Sequence, residues 1–200
     1  MTIPKFVSPL CVLATLANAA DERTDLWRID RNHSTAQFAV RHLGISTVRG
    51  TFNKVSGTVS YLPSEPSKSS VDVSIDVSSV DTRVEKARQR CPNFFDVAKF
   101  PTITFKSKRA EVAGEEKLNL IGDLTIRDVT KEVVLDVDGP TKPVKDDSGK
   151  LHMGASASSK LNRRDFGVSG AAATVADEVE ITIDIELVQA PKPETPAGAK

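Results

Sequence analysis

The sequence is poor in the residues that most often carry chemistry. It holds three histidines, at positions 33, 42 and 152, and none are paired at the close spacing of a metal-binding helix. It has no Gly-rich phosphate loop and no G-x-S-x-G nucleophile turn. Only two cysteines occur, Cys11 and Cys91. Cys11 falls in a segment that reads as removable, so Cys91 is left without an intrachain disulfide partner, and one thiol makes no metal site. Arg88 and Arg90 are the only nearby groups that would activate Cys91. A structural thiol is therefore favoured over one that dimerises by oxidation. Net charge of one sign is also missing, since Lys plus Arg and Asp plus Glu both number 27. That balance gives no reason to expect nucleic acid or an anionic membrane surface as partner. No stretch is long and apolar enough for a transmembrane segment. Aromatic residues make up only 5 % of the chain, so apolar faces must be built mainly from Val, Ile and Leu.

What is present begins with an export signature. Lys5 gives a short basic region, Phe6 to Leu16 is mostly apolar, and Ala17-Asn18-Ala19 is a small-x-small cleavage site. Residues 1–19 are read as a signal peptide cleaved after Ala19, which marks the protein for export. Lys5 is the only charged residue in that segment, so the mature chain carries about −1. Residues 20–189 form one domain. Residues 190–200 carry Pro191, Pro193 and Pro196 without apolar periodicity and read as a disordered tail.

Within the domain, period-two alternation dominates. Val71, Val73, Ile75 and Val77 alternate with Asp72, Ser74 and Asp76. Leu118, Leu120, Leu124 and Ile126 share a face with Gly122. Val179, Ile181, Ile183, Ile185 and Leu187 alternate with Glu180, Thr182, Asp184 and Glu186. Such stretches are strands with one apolar and one wet face. The pattern predicts strands near 27–30, 34–43, 47–61, 70–78, 102–112, 117–127, 130–138, 150–161 and 178–188. Ala113-Gly114 and Asp147-Ser148-Gly149 are turn signals, and Gly50 and Gly57 suggest bends inside the long third strand. One helix interrupts the strands: Thr82 and Glu85 fit a capping box, Arg83 to Arg90 is rich in helix formers, and Pro92 stops it. Amphipathic strands in this number close into a barrel or pack as two sheets. An eight-stranded barrel is either filled by its own side chains or holds one ligand, and periodicity alone does not choose.

The segment W-R-I-D-R-N-H-S-T-A-Q-F-A-V-R-H-L-G-I-S-T-V-R-G-T-F, from Trp27 to Phe52, resembles the opening of the YceI-like family. Three later blocks agree in order: N-F-F-D-V-A-K-F-P-T-I-T-F from Asn93, G-D-L-T-I-R-D-V-T-K from Gly122, and L-N-R-R-D-F-G from Leu161. The resemblance implies an all-β fold, an eight-stranded antiparallel lipocalin-like barrel exported to the periplasm. It also implies an interior that holds a polyisoprenoid or similar long-chain amphiphile. Cys91 and the Pro-rich tail fall outside the family pattern.

Alternation on the second strand turns Ala36, Phe38, Val40 and His42 to one face, taken as the interior. Val73, Ile75, Ile103, Phe105, Leu124 and Ile126 join it by the same rule. Phe52, Phe94, Phe95, Phe100 and Phe166 are candidates for the mouth or wall. Core packing and ligand contact use the same residue types here. His42 either meets a ligand headgroup, reports pH, or is satisfied by neighbours. His33 is read as a turn-fixing residue. Asn162, Asp165 and Gly167 read as turn chemistry, with Arg163 and Arg164 as candidates for an anionic headgroup at the rim. The expectation is a periplasmic carrier that performs no catalysis and uses no metal or cofactor. Its partner is a long-chain isoprenoid-like lipid of the quinone or polyprenyl phosphate type. A homodimer through an exposed barrel face is compatible with the sequence. The competing readings are a filled-core interaction protein and an enzyme built around His42.

Overall fold

Strand alternation closes on itself in the computed structural model, which describes residues 25–83 and 94–191. Twelve strands follow in chain order: β1 (Asp25–Ile29), β2 (Thr35–His42), β3 (Ser46–Phe52), β4 (Val55–Tyr61), β5 (Ser70–Asp76), β6 (Val80–Asp81), β7 (Thr102–Gly114), β8 (Lys117–Ile126), β9 (Val129–Asp138), β10 (Val144–Lys145), β11 (Leu151–Asn162) and β12 (Val175–Gln189). They make eight staves. β1 and β2 both pair with β12, β4 and β3 pair with β1 and β2, and β5 and β6 pair with β4 and β3. The first three staves are therefore each split in two. β7, β8, β9 and β11 follow in order, and β11 returns to β12, closing an antiparallel barrel. β10 continues along β11 beyond the end of β9. The inward apolar faces thus turn into one enclosure, closed by the β11–β12 ladder.

The stretch 47–61, expected as one strand, is two. The break falls at Asn53-Lys54, between the two glycines, because the neighbouring stave holds it there. Asn53 N–H donates to the Ser79 carbonyl at 3.3 Å, and Lys54 N–H donates to Ser79 Oγ at 3.1 Å. Strand 70–78 likewise stops early. Asp76 caps a 3-10 turn over Val77–Ser79 by accepting from Ser78 N–H. The hairpin expected at Ala113-Gly114 turns instead at Glu115-Glu116. Gly114 pairs with Lys117, and Glu116 takes the left-handed conformation, φ 53°. The Asp146–Lys150 turn forms as expected, with Asp146 Oδ1 accepting from Ser148 and Lys150 N–H and Gly149 at φ 84°. The predicted signal peptide, residues 84–90 of the expected helix, Cys91 and nearly all of the tail lie outside the described residues, and Arg83 takes the left-handed conformation, φ 57°.

The core runs along the barrel axis. Trp27, Val55, Val77, Phe166 and Leu187 are almost fully buried, and Phe105, Leu120, Leu124 and Met153 join the same cluster. The sequence has one tryptophan, Trp27, so its fluorescence reports on this core. No helix among the described residues is long and apolar enough to cross a membrane.

Candidate functional site

The core does not fill the barrel. A cavity of about 540 Å³ lies along its axis, within the usual range for small-molecule sites. Every face-in residue picked from β2 lines it: Ala36, Phe38, Val40 and His42. Val73 and Ile75 of β5, Ile103 and Phe105 of β7, and Leu124 and Ile126 of β8 complete the near wall, as the alternation requires. Phe52 on β3, Phe94 and Phe95 ahead of β7, and Phe166 after β11 line it too. Phe38, Phe52 and Phe95 form a chain of rings. Phe38 and Phe52 are tilted at 5.8 Å, and Phe95 meets Phe52 edge-on at 5.7 Å. Such contacts fix aromatic orientation as well as burying area.

Phe100 is the exception among the aromatic candidates. It lies away from the cavity wall, with the Arg127 guanidinium 5.5 Å from its ring centre and Lys99 Nζ at 4.9 Å. Phe100 N–H is tied to the Asp96 carbonyl, which turns the segment outward before β7 begins. Sequence reasoning also left out the far wall. Val179, Ile181, Ile183, Ile185 and Leu187 of β12 and Ala155, Ala157 and Leu161 of β11 all face the cavity. The signal for β12 was present, since its alternation is the longest in the chain.

Besides Gln37, Thr82, Ser156 and Arg163, four polar side chains line the wall. His42 and Thr174 mark one end, and Tyr61 and Ser69 the other. Burial pushes the Tyr61 phenol above its usual pKa, and the Glu116 charge adds to this. The His42 imidazole makes no hydrogen bond among the described residues. No Asp or Glu among the described residues lines the cavity.

Arg163 is buried, 8 % exposed, and its five N–H groups are spoken for. Nε donates to the Ala176 carbonyl at 2.9 Å. Nη1 donates to the carbonyls of Val168 and Gly170 at 2.7 and 2.8 Å. Nη2 donates to the Val175 carbonyl at 3.0 Å and to Asp177 Oδ1 at 3.3 Å. It therefore ties the 168–177 segment to the end of β11, and has no donor left for a headgroup. Arg164 is exposed and pairs with the same Asp177 oxygen at 2.6 Å. The expected turn chemistry holds at Asn162, whose Oδ1 accepts from Arg164 N–H, and at Gly167, at φ 70°.

Comparison with known proteins agrees with this architecture. Residues 27–187 match the YceI-like domain. Protein YceI of Salmonella arizonae is 35 % identical over 167 residues, covering 82 % of this chain and 86 % of that protein, and Protein YceI of Salmonella paratyphi B matches equally. Among solved structures, a Campylobacter jejuni YCEI protein superposes with a TM-score of 0.66 at 31 % identity, covering 76 % of this chain and 90 % of that one. BcnA of Burkholderia cenocepacia gives a TM-score of 0.69 at 24 % identity, over 79 % and 98 % of the two chains. A polyisoprenoid binding domain from Saccharophagus degradans gives 0.61 at 13 % identity, over 84 % and 100 %. With its sequence blocks, its closed eight-stave barrel and these relatives in agreement, the chain belongs to the YceI-like family.

Proposed function

We propose that the protein binds a long-chain isoprenoid-like lipid, of the quinone or polyprenyl phosphate type, inside its barrel and carries it in the periplasm without acting on it chemically. The observation that carries this reading is the axial cavity of about 540 Å³, walled by Val, Ile, Leu, Ala and Phe. A filled-core interaction protein has no use for such a void, which forfeits packing free energy along its whole lining. An enzyme built around His42 needs a second titratable group, and the described cavity wall offers no carboxylate. The similarity in fold to a polyisoprenoid binding domain supports the same class of ligand. The N-terminal 19 residues, read as a signal peptide, support export.

Energetics favour length and apolarity over identity. Burying one five-carbon isoprene unit gains about 3–4 kcal/mol at most, at roughly 0.8 kcal/mol per methylene. Ordering a flexible chain opposes much of that gain. Apolar walls also distinguish neighbouring chain lengths by only about 1–3 kcal/mol per methylene. The site thus accepts a class of lipids.

The test is organic extraction of natively purified protein with mass spectrometry, beside native mass spectrometry of the intact complex. A stoichiometric long-chain species supports the carrier and names its cargo. Protein that arrives empty and takes up neither isoprenoid quinones nor polyprenyl phosphates overturns it.

A further inference from the structure

The outer wall of the barrel holds a second constellation, unrelated to the cavity. Two of the three histidines, far apart in sequence, meet there across one carboxylate. Glu186 stands on the wet face of β12, between the inward-facing Ile185 and Leu187. His33, in the turn between β1 and β2, brings Nδ1 within 3.9 Å of Glu186 Oε2 and 2.8 Å of Asp30 Oδ2. The ligand atoms of Asp30, His33 and Glu186 all lie within 4.8 Å of one another. Tetrahedral coordination with bonds of about 2.0–2.2 Å sets ligand atoms about 3.4 Å apart, so small side-chain rotations suffice.

Backbone bonding fixes Asp30 and Glu186 before any ion arrives. Asp30 N–H donates to the Glu186 carbonyl at 2.8 Å, and Glu186 N–H donates to the buried Ser34 hydroxyl at 3.0 Å. Asn32 N–H occupies Asp30 Oδ1, leaving Oδ2 to face His33. Behind them, His152 Nδ1 bonds Glu186 Oε1 at 2.7 Å, and its Nε2 meets Asp146 Oδ2 at 3.2 Å. That chain leaves Glu186 Oε2 turned toward His33, as outer-shell partners orient metal ligands. Three carboxylates around two imidazoles also leave a surplus of negative charge.

We propose that Asp30, His33 and Glu186 form an exchangeable site for a divalent transition-metal ion of the Zn2+ type, oriented from behind by His152 and Asp146. One imidazole with two carboxylates suits a borderline ion better than Ca2+ or Mg2+, which prefer oxygen alone. The imidazole of His33 is largely exposed, so the fourth coordination position is open to water. Because the site lies on the opposite side of β12 from the cavity, ion and lipid bind independently.

The experiment is titration of the full chain with Zn2+ by calorimetry and with Co2+ by visible absorption. One equivalent of ion is expected, with a Co2+ d–d spectrum free of thiolate charge-transfer bands. H33A and E186Q should each weaken binding at least tenfold, H152Q should weaken it less, and H42A and C91S should leave it unchanged. Circular dichroism of H33A should match the parent, since the side chain is exposed. Absence of binding at about 1 mM ion overturns the site. So does binding that survives H33A and E186Q, or that is lost in C91S.

Discussion

Phe38 and Gly50 stand directly opposite each other on β2 and β3, and the phenyl ring fills the space a side chain at position 50 would occupy. A Cβ added there would lie 2.5 Å from Phe38 Cε1, and 3.1 Å from Thr82 Cγ2 on the next stave. The same arrangement recurs at Phe94 over Gly170 and at Phe105 beside Gly122. Rings laid over glycines rescue the missing side chain and leave the wall smooth.

The three glycines are not equivalent, and this separates shape from stability. In Gly50→Ala the clash is with the far end of a side chain that can swing, so the fold should persist while the Phe38 ring is displaced. Affinity for a long-chain fluorescent probe should fall about tenfold, with stability changed by less than about 1 kcal/mol. In Gly122→Ala the new Cβ meets backbone, with Ser107 Cα at 2.8 Å and the Lys106 carbonyl closer still. That variant should lose about 2 kcal/mol or more in urea unfolding followed by Trp27 fluorescence. Equal losses in both variants would contradict this division.

Arg163→Lys should be nearly as damaging as Arg163→Ala. An ammonium has three donors and no fork, whereas the five acceptors here surround a planar guanidinium. Either change should destabilise the protein by about 3 kcal/mol, through buried carbonyls left unpaired. Hydrogen exchange should accelerate first in residues 168–177. Uniform acceleration across the barrel would deny Arg163 its local role.

Phe105→Asp places a carboxylate on the buried wall opposite Leu124 and Val73 and should abolish lipid uptake. Because that variant risks unfolding, Ala157→Phe provides a second reading. Ala157 faces the cavity from β11, and a ring there occupies space instead of adding charge. Its circular dichroism should be unchanged and its lipid capacity reduced. A folded Ala157→Phe or Phe105→Asp with full affinity would place the ligand elsewhere.

Asp76 supplies a pH-dependent contribution. Its pKa sits below the ordinary 3.8, held there first by the Ser78 hydroxyl, then by Ser78 N–H and Lys54. A carboxyl depressed in the folded state contributes stability that is present above its unfolded pKa and lost as pH falls through the folded one. Asp76→Ala should therefore cost about 1 kcal/mol at neutral pH, as loss of a cap does. The gap from the parent should narrow below pH 3.8. A gap constant down to acid unfolding would assign the cost to packing alone.

Much of this was legible because a barrel strand has a period of two and one wet face. Phe38, Val40, Val73, Ile75, Ile103, Phe105, Leu124 and Ile126 were assigned by parity, and parity places them on the cavity wall. What parity does not carry is where a strand breaks. The split at Asn53-Lys54 depends on Ser79, a residue of the neighbouring stave, so nothing local announces it. The turn at Glu115-Glu116 was missed because glutamate at φ 53° has none of the usual turn chemistry. Arg163 read as a rim cation because charge usually means surface. Its burial depends on five acceptors that become available only when residues 168–177 fold back over it. The meeting of His33 with Glu186 is likewise a product of closure between the first and last staves.

The two ladders that flank β11 are unequal. β11 is zipped to β12 from His152 to Asn162, but to β9 only from Ser156 to Ser158. Parting β11 from β12 would strip hydrogen bonds along an entire strand, while parting it from β9 releases a short stitch. The Arg127 guanidinium, donating to the Gly167 carbonyl, bridges the flank where that ladder gives out. The container therefore has a side seam between β9 and β11, held over most of its length by something other than a strand ladder.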